Sequence, residues 1–273
     1  ELTLPTEFYQ AQLLPSTLQS VATGGPGEKV NDLLVRAYIA AGVSIPLPEA
    51  PREYPGGYTA VRATGVFGPV VNADAESLYP SIMLTDGIAP KSDSLGVFLP
   101  ILRTLTERRL QAKRTAAVTS GAEGAMWTGM QSSLKVLINS FYGYLGYGRG
   151  FFNDFDAAER VTLRGHEIIQ LIERLLEQRG AQVIEIDTDG VYFVPPGGTT
   201  DSDQLEALVS EITAQLGPGI SIGIGGVWEK MMSLKLKNYA LLASDGSLIV
   251  KGSSLRSRRA EPFLREFLQA ALR

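Results

Sequence analysis

Asp187 and Asp189 stand two apart in "DTDG" (187–190), between the apolar runs "VIEI" (183–186) and "VYFV" (191–194). Asp-Gly between two strand-like runs predicts a hairpin, so both carboxylates reach the same end of a sheet. Asp-Thr-Asp-Gly is good turn chemistry in its own right and alone requires no function. A third acid changes the weighing. Asp74, in "VNADAESLYPSIM" (71–83), ends another apolar run, and the chain is expected to turn sharply after it, through Tyr79-Pro80. With no cysteine in the chain and His166 the only histidine, these acids are hard oxygen donors suited to Mg²⁺, and thiolate zinc sites are excluded. Paired Mg²⁺ ions are what phosphoryl transfer uses on attacking and leaving oxygens.

Complementary charge lies on two predicted helices. Arg109 and Lys113 are four apart, hence on one face of a helix expected over about 98–117. Lys135, Asn139 and Tyr142 fall at i, i+4 and i+7 of a second, expected over about 126–141, which offers Leu134, Val136, Leu137 and Ile138 to a core. Such faces suit a triphosphate, with Tyr142 an aromatic surface for a base. Each cation taken singly also reads as ordinary helix surface.

The net charge of −4 argues against a nucleic-acid partner until its distribution is considered. Residues 103–114 hold five Lys or Arg against one Glu, and residues 230–259 hold seven against one Asp. Basic segments on an acidic body are an electrostatic footprint that the average conceals. Hydrophobic residues at 44% and charged residues at 20% describe a foldable chain with no membrane span. The first residue is Glu1, with no basic-then-apolar leader, as expected of a processed or excised piece with an intracellular location (the nucleoid, if prokaryotic).

The elements that must position these groups read as follows. A helix is expected near 30–42, a Pro/Gly-rich linker over 45–58, and a hairpin over 59–74. After the two helices, separated by "TSGAEG" (119–124), a long helix covers about 156–179. Strands about the Asp-Gly turn follow, then a helix at 201–216, strands at 219–225 and 234–243, a turn at 244–247 and a last helix from about Glu261. His166 and both tryptophans, Trp127 and Trp228, are expected to serve packing. The order predicts α+β: an antiparallel sheet with helices on one face and an inserted two-helix hairpin.

These motifs carry a resemblance. "DAESLYPSI" (74–82), "KVLINSFYG" (135–143) and "DTD" (187–189) resemble motifs A, B and C of family B DNA polymerases, in that order. "YPGG" (54–57) is similar to that family's tyrosine–diglycine element, "LKLKNYAL" (234–241) to its lysine–tyrosine element and "KGSSLRSRR" (251–259) to the segment entering the thumb. The resemblance implies a palm in two parts, 57–97 and 146–260, fingers at 98–145, an N-terminal helical or linker segment at 1–56 and the start of a thumb at 261–273. Most of the thumb and the exonuclease would be missing, to be supplied by further domains or a partner subunit.

The implied activity is DNA-directed DNA polymerisation, with two Mg²⁺ ions, deoxynucleoside triphosphates and primer–template DNA. Asp74 and Asp189 would hold metal, with Asp187 in support. Ser77, Leu78 and Tyr79 would meet the nucleotide through their backbone, and Tyr79 would exclude a ribose 2′-OH. Arg109, Lys113 and Lys135 would hold the triphosphate, Asn139 and Tyr142 the base-pair pocket. Lys235, Lys237, Tyr239, Lys251, Arg256 and Arg258 would contact DNA. The family usually shows Tyr-Gly before "DTD" and Ser after it; here stand Glu185, Ile186 and Gly190, and Glu185 could add a third acidic neighbour. The rival readings are an inactive polymerase-like scaffold that binds nucleic acid and a nucleotidyl transferase of another kind.

Overall fold

The computed structural model describes residues 4–14 and 16–252, with Glu261, Phe263, Glu266 and Ala270 beyond them. Arg256 and Arg258 and most of the expected last helix lie outside the described residues. The chain forms two units, Glu1–Pro55 with Tyr79–Leu163, and Gly56–Leu78 with Arg164–Arg273.

The first unit is helical. It holds α1 (Leu4–Leu13), α2 (Leu18–Thr23), α3 (Pro26–Ala41), nearly all of α4 (Leu78–Asp86), α5 (Phe98–Val118), α6 (Gly121–Leu145) and the opening turns of α7 (Phe155–Gln178). The expected sharp turn at Tyr79-Pro80 is instead the start of α4. Proline suits a first helical turn, where its missing N–H has no partner to lose and its φ is already helical. The α5–α6 connection is only Thr119-Ser120, because "GAEG" joins α6. Glycine permits this: Gly121 has φ +64, and a Cβ on Gly124 would lie 2.6 Å from the Thr119 carbonyl. Leu134, Leu137, Ile138 and Phe141 of α6 are buried, with Phe141 edge-on to Phe98 of α5 at 5.1 Å. Val136, expected among them, is 57% exposed.

Among the described residues, the strands lie in the second unit: β1 (Thr59–Val61), β2 (Gly65–Phe67), β3 (Val70–Ala75), β4 (Gln182–Asp187), β5 (Gly190–Val194), β6 (Ile222–Trp228), β7 (Lys230–Lys235), β8 (Asn238–Leu242) and β9 (Leu248–Lys251). They make two antiparallel sheets, ordered β1-β4-β5-β3-β6 and β2-β7-β8-β9. The expected hairpin at 59–74 does not form: β1 pairs with β4, β2 with β7, and β3 with β5 and β6. The stretch 234–243 is likewise not one strand. It turns at Leu236-Lys237 between β7 and β8, with Lys237 at φ +58 and no glycine to announce it. Side chains from both sheets build one core of Val70, Ile184, Tyr192, Met231, Tyr239 and Leu241, against which Trp228 packs as expected. The rest of α7 buries Ile168, Ile169, Ile172, Leu175 and Leu176, and α8 (Ser202–Thr213) starts at Asp201, whose carboxylate accepts from the Gln204 N–H at 3.0 Å.

Candidate active site

In the second unit, sheet pairing gathers the three aspartates around one hairpin. Asp74 sits on β3 opposite Gly190 of β5 on one side and Gly223 of β6 on the other. Asp187, the last residue of β4, faces the same Gly190. The N–H of Ala75 donates to the Asp189 carbonyl at 2.8 Å, so the turn bearing Asp189 is tied to the strand bearing Asp74. Thr188, between the two acids, has φ +62 and donates its N–H to the Tyr58 carbonyl at 3.0 Å. The Tyr58 ring in turn lies 5.5 Å from that of His166, whose Nε2 is 2.7 Å from the Gly56 carbonyl.

Glycines leave room in front of these acids. A Cβ on Gly190 would come within 2.9 Å of Asn72 Oδ1 and 3.2 Å of Asp74 Oδ1, and one on Gly225 within 2.7 Å of Asn72 Nδ2. Asn72 shares a face of β3 with Asp74, and its Oδ1 is buried without a hydrogen-bond partner. Among the described residues no three His, Cys, Asp or Glu side chains gather as a cage. Magnesium does not need one, because it is usually held by one or two carboxylates together with substrate phosphates. Hard oxygen donors, a cradle that a Cβ would fill and an unpartnered amide oxygen fit that ion.

Asp187 is held from the second sheet. Lys237 Nζ pairs with its Oδ1 at 3.1 Å, and the Tyr239 hydroxyl lies 3.5 Å from its Oδ2 and 3.0 Å from the Tyr192 hydroxyl. Burial raises the pKa of both tyrosines and keeps them neutral. Tyr239, expected along the primer, is completely buried in this chain, with its hydroxyl toward Asp187 and Tyr192. Glu185 is an acidic neighbour of Asp187, whose charge helps burial raise its pKa, but its carboxylate turns to the second sheet. Bulges at Val183/Glu185 in β4 and Ser233/Lys235 in β7 accompany its engagement with the β7–β8 turn. It is fully buried, accepting from the Lys237 N–H at 2.6 Å and the Ser233 hydroxyl at 3.4 Å. Burial raises its pKa against the pull of those two hydrogen bonds. Lys235 and Lys251 are exposed near the ends of β7 and β9.

In the first unit, Tyr79 of α4 stacks on Tyr142 of α6 at 4.1 Å and 27°. The Tyr142 hydroxyl meets that of Thr162 on α7 at 2.8 Å and also bonds Tyr54, whose pKa burial pushes up to about 12. A Cβ on Gly146 would collide with the Tyr54 hydroxyl, so this contact needs glycine there. Thr162 went unread in the sequence and Tyr54 was noted only within its motif; no local spacing links either to Tyr142. Arg109 is half-buried and Lys113 exposed on α5, while Lys135 and Asn139 are exposed on α6 beside Val136. At the end of the second unit's first segment, Ser77 takes φ +48 just before α4, and Leu78 is buried.

Comparison with known proteins identifies the family. The family model described as DNA polymerase family B matches residues 86–273. DNA polymerase 1 of Pyrococcus abyssi (strain GE5 / Orsay) is 29% identical over 93% of this chain and 37% of its own length. The DNA polymerase alpha catalytic subunit of Oryza sativa subsp. japonica is 30% identical over 72% of this chain and 14% of its own. A family B DNA polymerase structure from Pyrobaculum calidifontis superposes with a TM-score of 0.72 at 22% identity, covering 98% of this chain and 40% of that one. The chain thus spans a little over a third of the length of the archaeal relative. With the family model matching well over half of its residues, the chain belongs to DNA polymerase family B.

Proposed function

We propose that this chain is the catalytic core of a DNA-directed DNA polymerase, which adds deoxynucleotides to a primer 3′-OH on a DNA template and releases pyrophosphate. One observation carries the reading: the Ala75–Asp189 hydrogen bond sets a carboxylate-bearing turn beside the strand of Asp74. Asp74 and Asp189 would hold two Mg²⁺ ions, with Asn72 Oδ1 a further oxygen at the cradle. Bound there, the ions would supply charge to the attacking and leaving oxygens. Asp187, fixed by Lys237 and the Tyr239 hydroxyl, keeps the turn in place beside them.

The other residues bind and select. The amides of Ser77, Leu78 and Tyr79, at the N-terminus of α4, offer donors and the positive end of a helix dipole to nucleotide phosphates. We read α5–α6 as the fingers, with Arg109, Lys113 and Lys135 holding the triphosphate by charge-assisted hydrogen bonds. Asn139 and Val136, exposed on one stretch of α6, and Tyr142 would border the nascent base pair. Tyr79, held flat against Tyr142, would fill the space that a ribose 2′-OH needs. Lys235, Lys251 and the lysine of the β7–β8 turn would approach primer phosphates, with the remaining duplex grip supplied by other domains or a partner; such a protein would work inside the cell, where its substrates are. Primer extension with Mg²⁺ and four deoxynucleotides, run beside Asp74→Ala, tests the proposal: templated extension abolished by the substitution supports it, and no extension by the intact chain would favour a scaffold that has lost catalysis.

A further inference from the structure

A buried carboxylate two residues before Asp187 is an expensive feature of a strand. Glu185 has no exposed surface and sits among the buried residues Ile184 and Ile186. An isolated buried charge is costly unless hydrogen bonds answer it, so the informative question is what this one answers. Its Oε1 accepts from the backbone N–H of Lys237 at 2.6 Å, and its Oε2 from Ser233 at 3.4 Å. Both donors belong to β7 and the turn after it, in the sheet that does not contain Glu185.

The accepted N–H is at a strained place. Lys237 has φ +58, a left-handed conformation disfavoured for any residue with a Cβ. Neither Leu236 nor Lys237 is a residue that makes such turns unaided. The same turn directs Lys237 Nζ to Asp187 Oδ1 at 3.1 Å and to Thr188 Oγ1 at 3.5 Å. A lysine side chain is long and rotatable, and this one is half-exposed. Its direction is therefore set by where the backbone of the turn is pinned. Asn238 Nδ2 donates to the Leu236 carbonyl at 2.8 Å within the turn, and the carboxylate of Glu185 fixes the Lys237 N–H from the other sheet.

We infer that Glu185 is a positioning residue, which holds the β7–β8 turn so that Lys237 reaches Asp187 at the aspartate hairpin. Glu185 acts through the lysine and touches neither nucleotide nor primer. The consequence for nucleotide addition rests on the polymerase reading; the structural linkage does not.

Lysine acetylation resolved by mass spectrometry tests the linkage at fixed pH, in the intact chain and in E185M, E185Q and D187N. Methionine keeps the volume and removes the acceptor, and an apolar replacement of a buried charge is often tolerated. E185Q keeps an oxygen that accepts the same N–H. E185M and D187N should each speed labelling of Lys237 by about 1.5- to 5-fold, as loss of an exposed ion pair allows. Lys230, Lys235 and Lys251 should be unaffected, and E185Q should label as the intact chain does. An unchanged Lys237 rate in E185M overturns the inference, and so does E185Q behaving as E185M, or equal acceleration at all four lysines. In primer extension, E185M/K237A should be no slower than K237A alone, and an additive loss would make the two residues independent. Failure of the polymerase reading is distinct: the intact chain would then not extend primers, while the labelling pattern would stand.

Discussion

The N–H of Ala75 donates to the carbonyl oxygen of Asp189 at 2.8 Å, joining the residue after one candidate metal ligand to the other ligand itself. Backbone, and not side-chain reach, therefore sets the separation of Asp74 and Asp189. Asp189 also donates its own N–H to the Asp187 carbonyl at 2.7 Å, which tightens the turn around Thr188. On the proposed reading, carboxylates held in this way would need no rearrangement of the sheet to meet a metal ion.

Tyr79 and Tyr142 should act as one unit in sugar selection. Their stacking at 4.1 Å leaves the Tyr79 ring little freedom to swing away from a 2′-OH. Tyr79→Ala should reduce the preference for deoxynucleotides over ribonucleotides, and Tyr142→Ala should reduce it by less. Competitive incorporation of the two nucleotide types measures this, and unchanged ratios would remove both residues from the role.

Lys135 should matter for the nucleotide and not for the duplex. Loss of a charge-assisted contact costs roughly 1.5–3 kcal/mol, so Lys135→Ala should lower incorporation efficiency by about 10- to 150-fold. Affinity for primer–template, read by fluorescence anisotropy, should stay at the unsubstituted value. An equal loss in both would assign the α6 face to DNA.

Asp156 should give stability a pH dependence. Arg52 and Lys91, at 2.6 and 3.3 Å, hold its pKa below the ordinary 3.8. A carboxyl whose folded pKa is depressed stabilises the fold above its ordinary value, and that contribution is lost as pH falls through the folded pKa. Asp156→Asn should therefore lower the melting temperature slightly near neutral pH and have no effect in strong acid. High salt should shrink the difference, because these groups are exposed. A difference that grows on acidification would contradict the assignment.

Much of the site was legible because it is local. The hairpin about "DTDG" (its turn falling on Thr188-Asp189, with Gly190 opening β5), the helical spacing of Lys135, Asn139 and Tyr142, and the apolar period of α7 each involve only neighbouring residues. What escaped the sequence depends on pairing between distant segments. Residues 59–74 have strand-like composition, but their partners lie over 100 positions away in β4, β5, β6 and β7, and nothing local could show that. The turn at Leu236-Lys237 carries no glycine; its support comes from Asn238 and from a glutamate of another strand. Glu185 itself could be seen as acidic but not aimed, because the bulges beside it override the strand's alternation. The burial of Tyr239 escaped the sequence for the same reason: burial between two sheets is a property of the sheets.

The most direct measurement of the central claim is single-turnover primer extension by the intact chain, Asp74→Ala and Asp189→Ala, with folding checked by circular dichroism. Templated addition of a deoxynucleotide by the intact chain should depend on added Mg²⁺. Either substitution should slow it by on the order of 10³-fold or more, the loss expected when several kcal/mol of charge stabilisation is removed, while the spectra stay superimposable. Near-normal turnover by a folded Asp189→Ala chain would contradict the account.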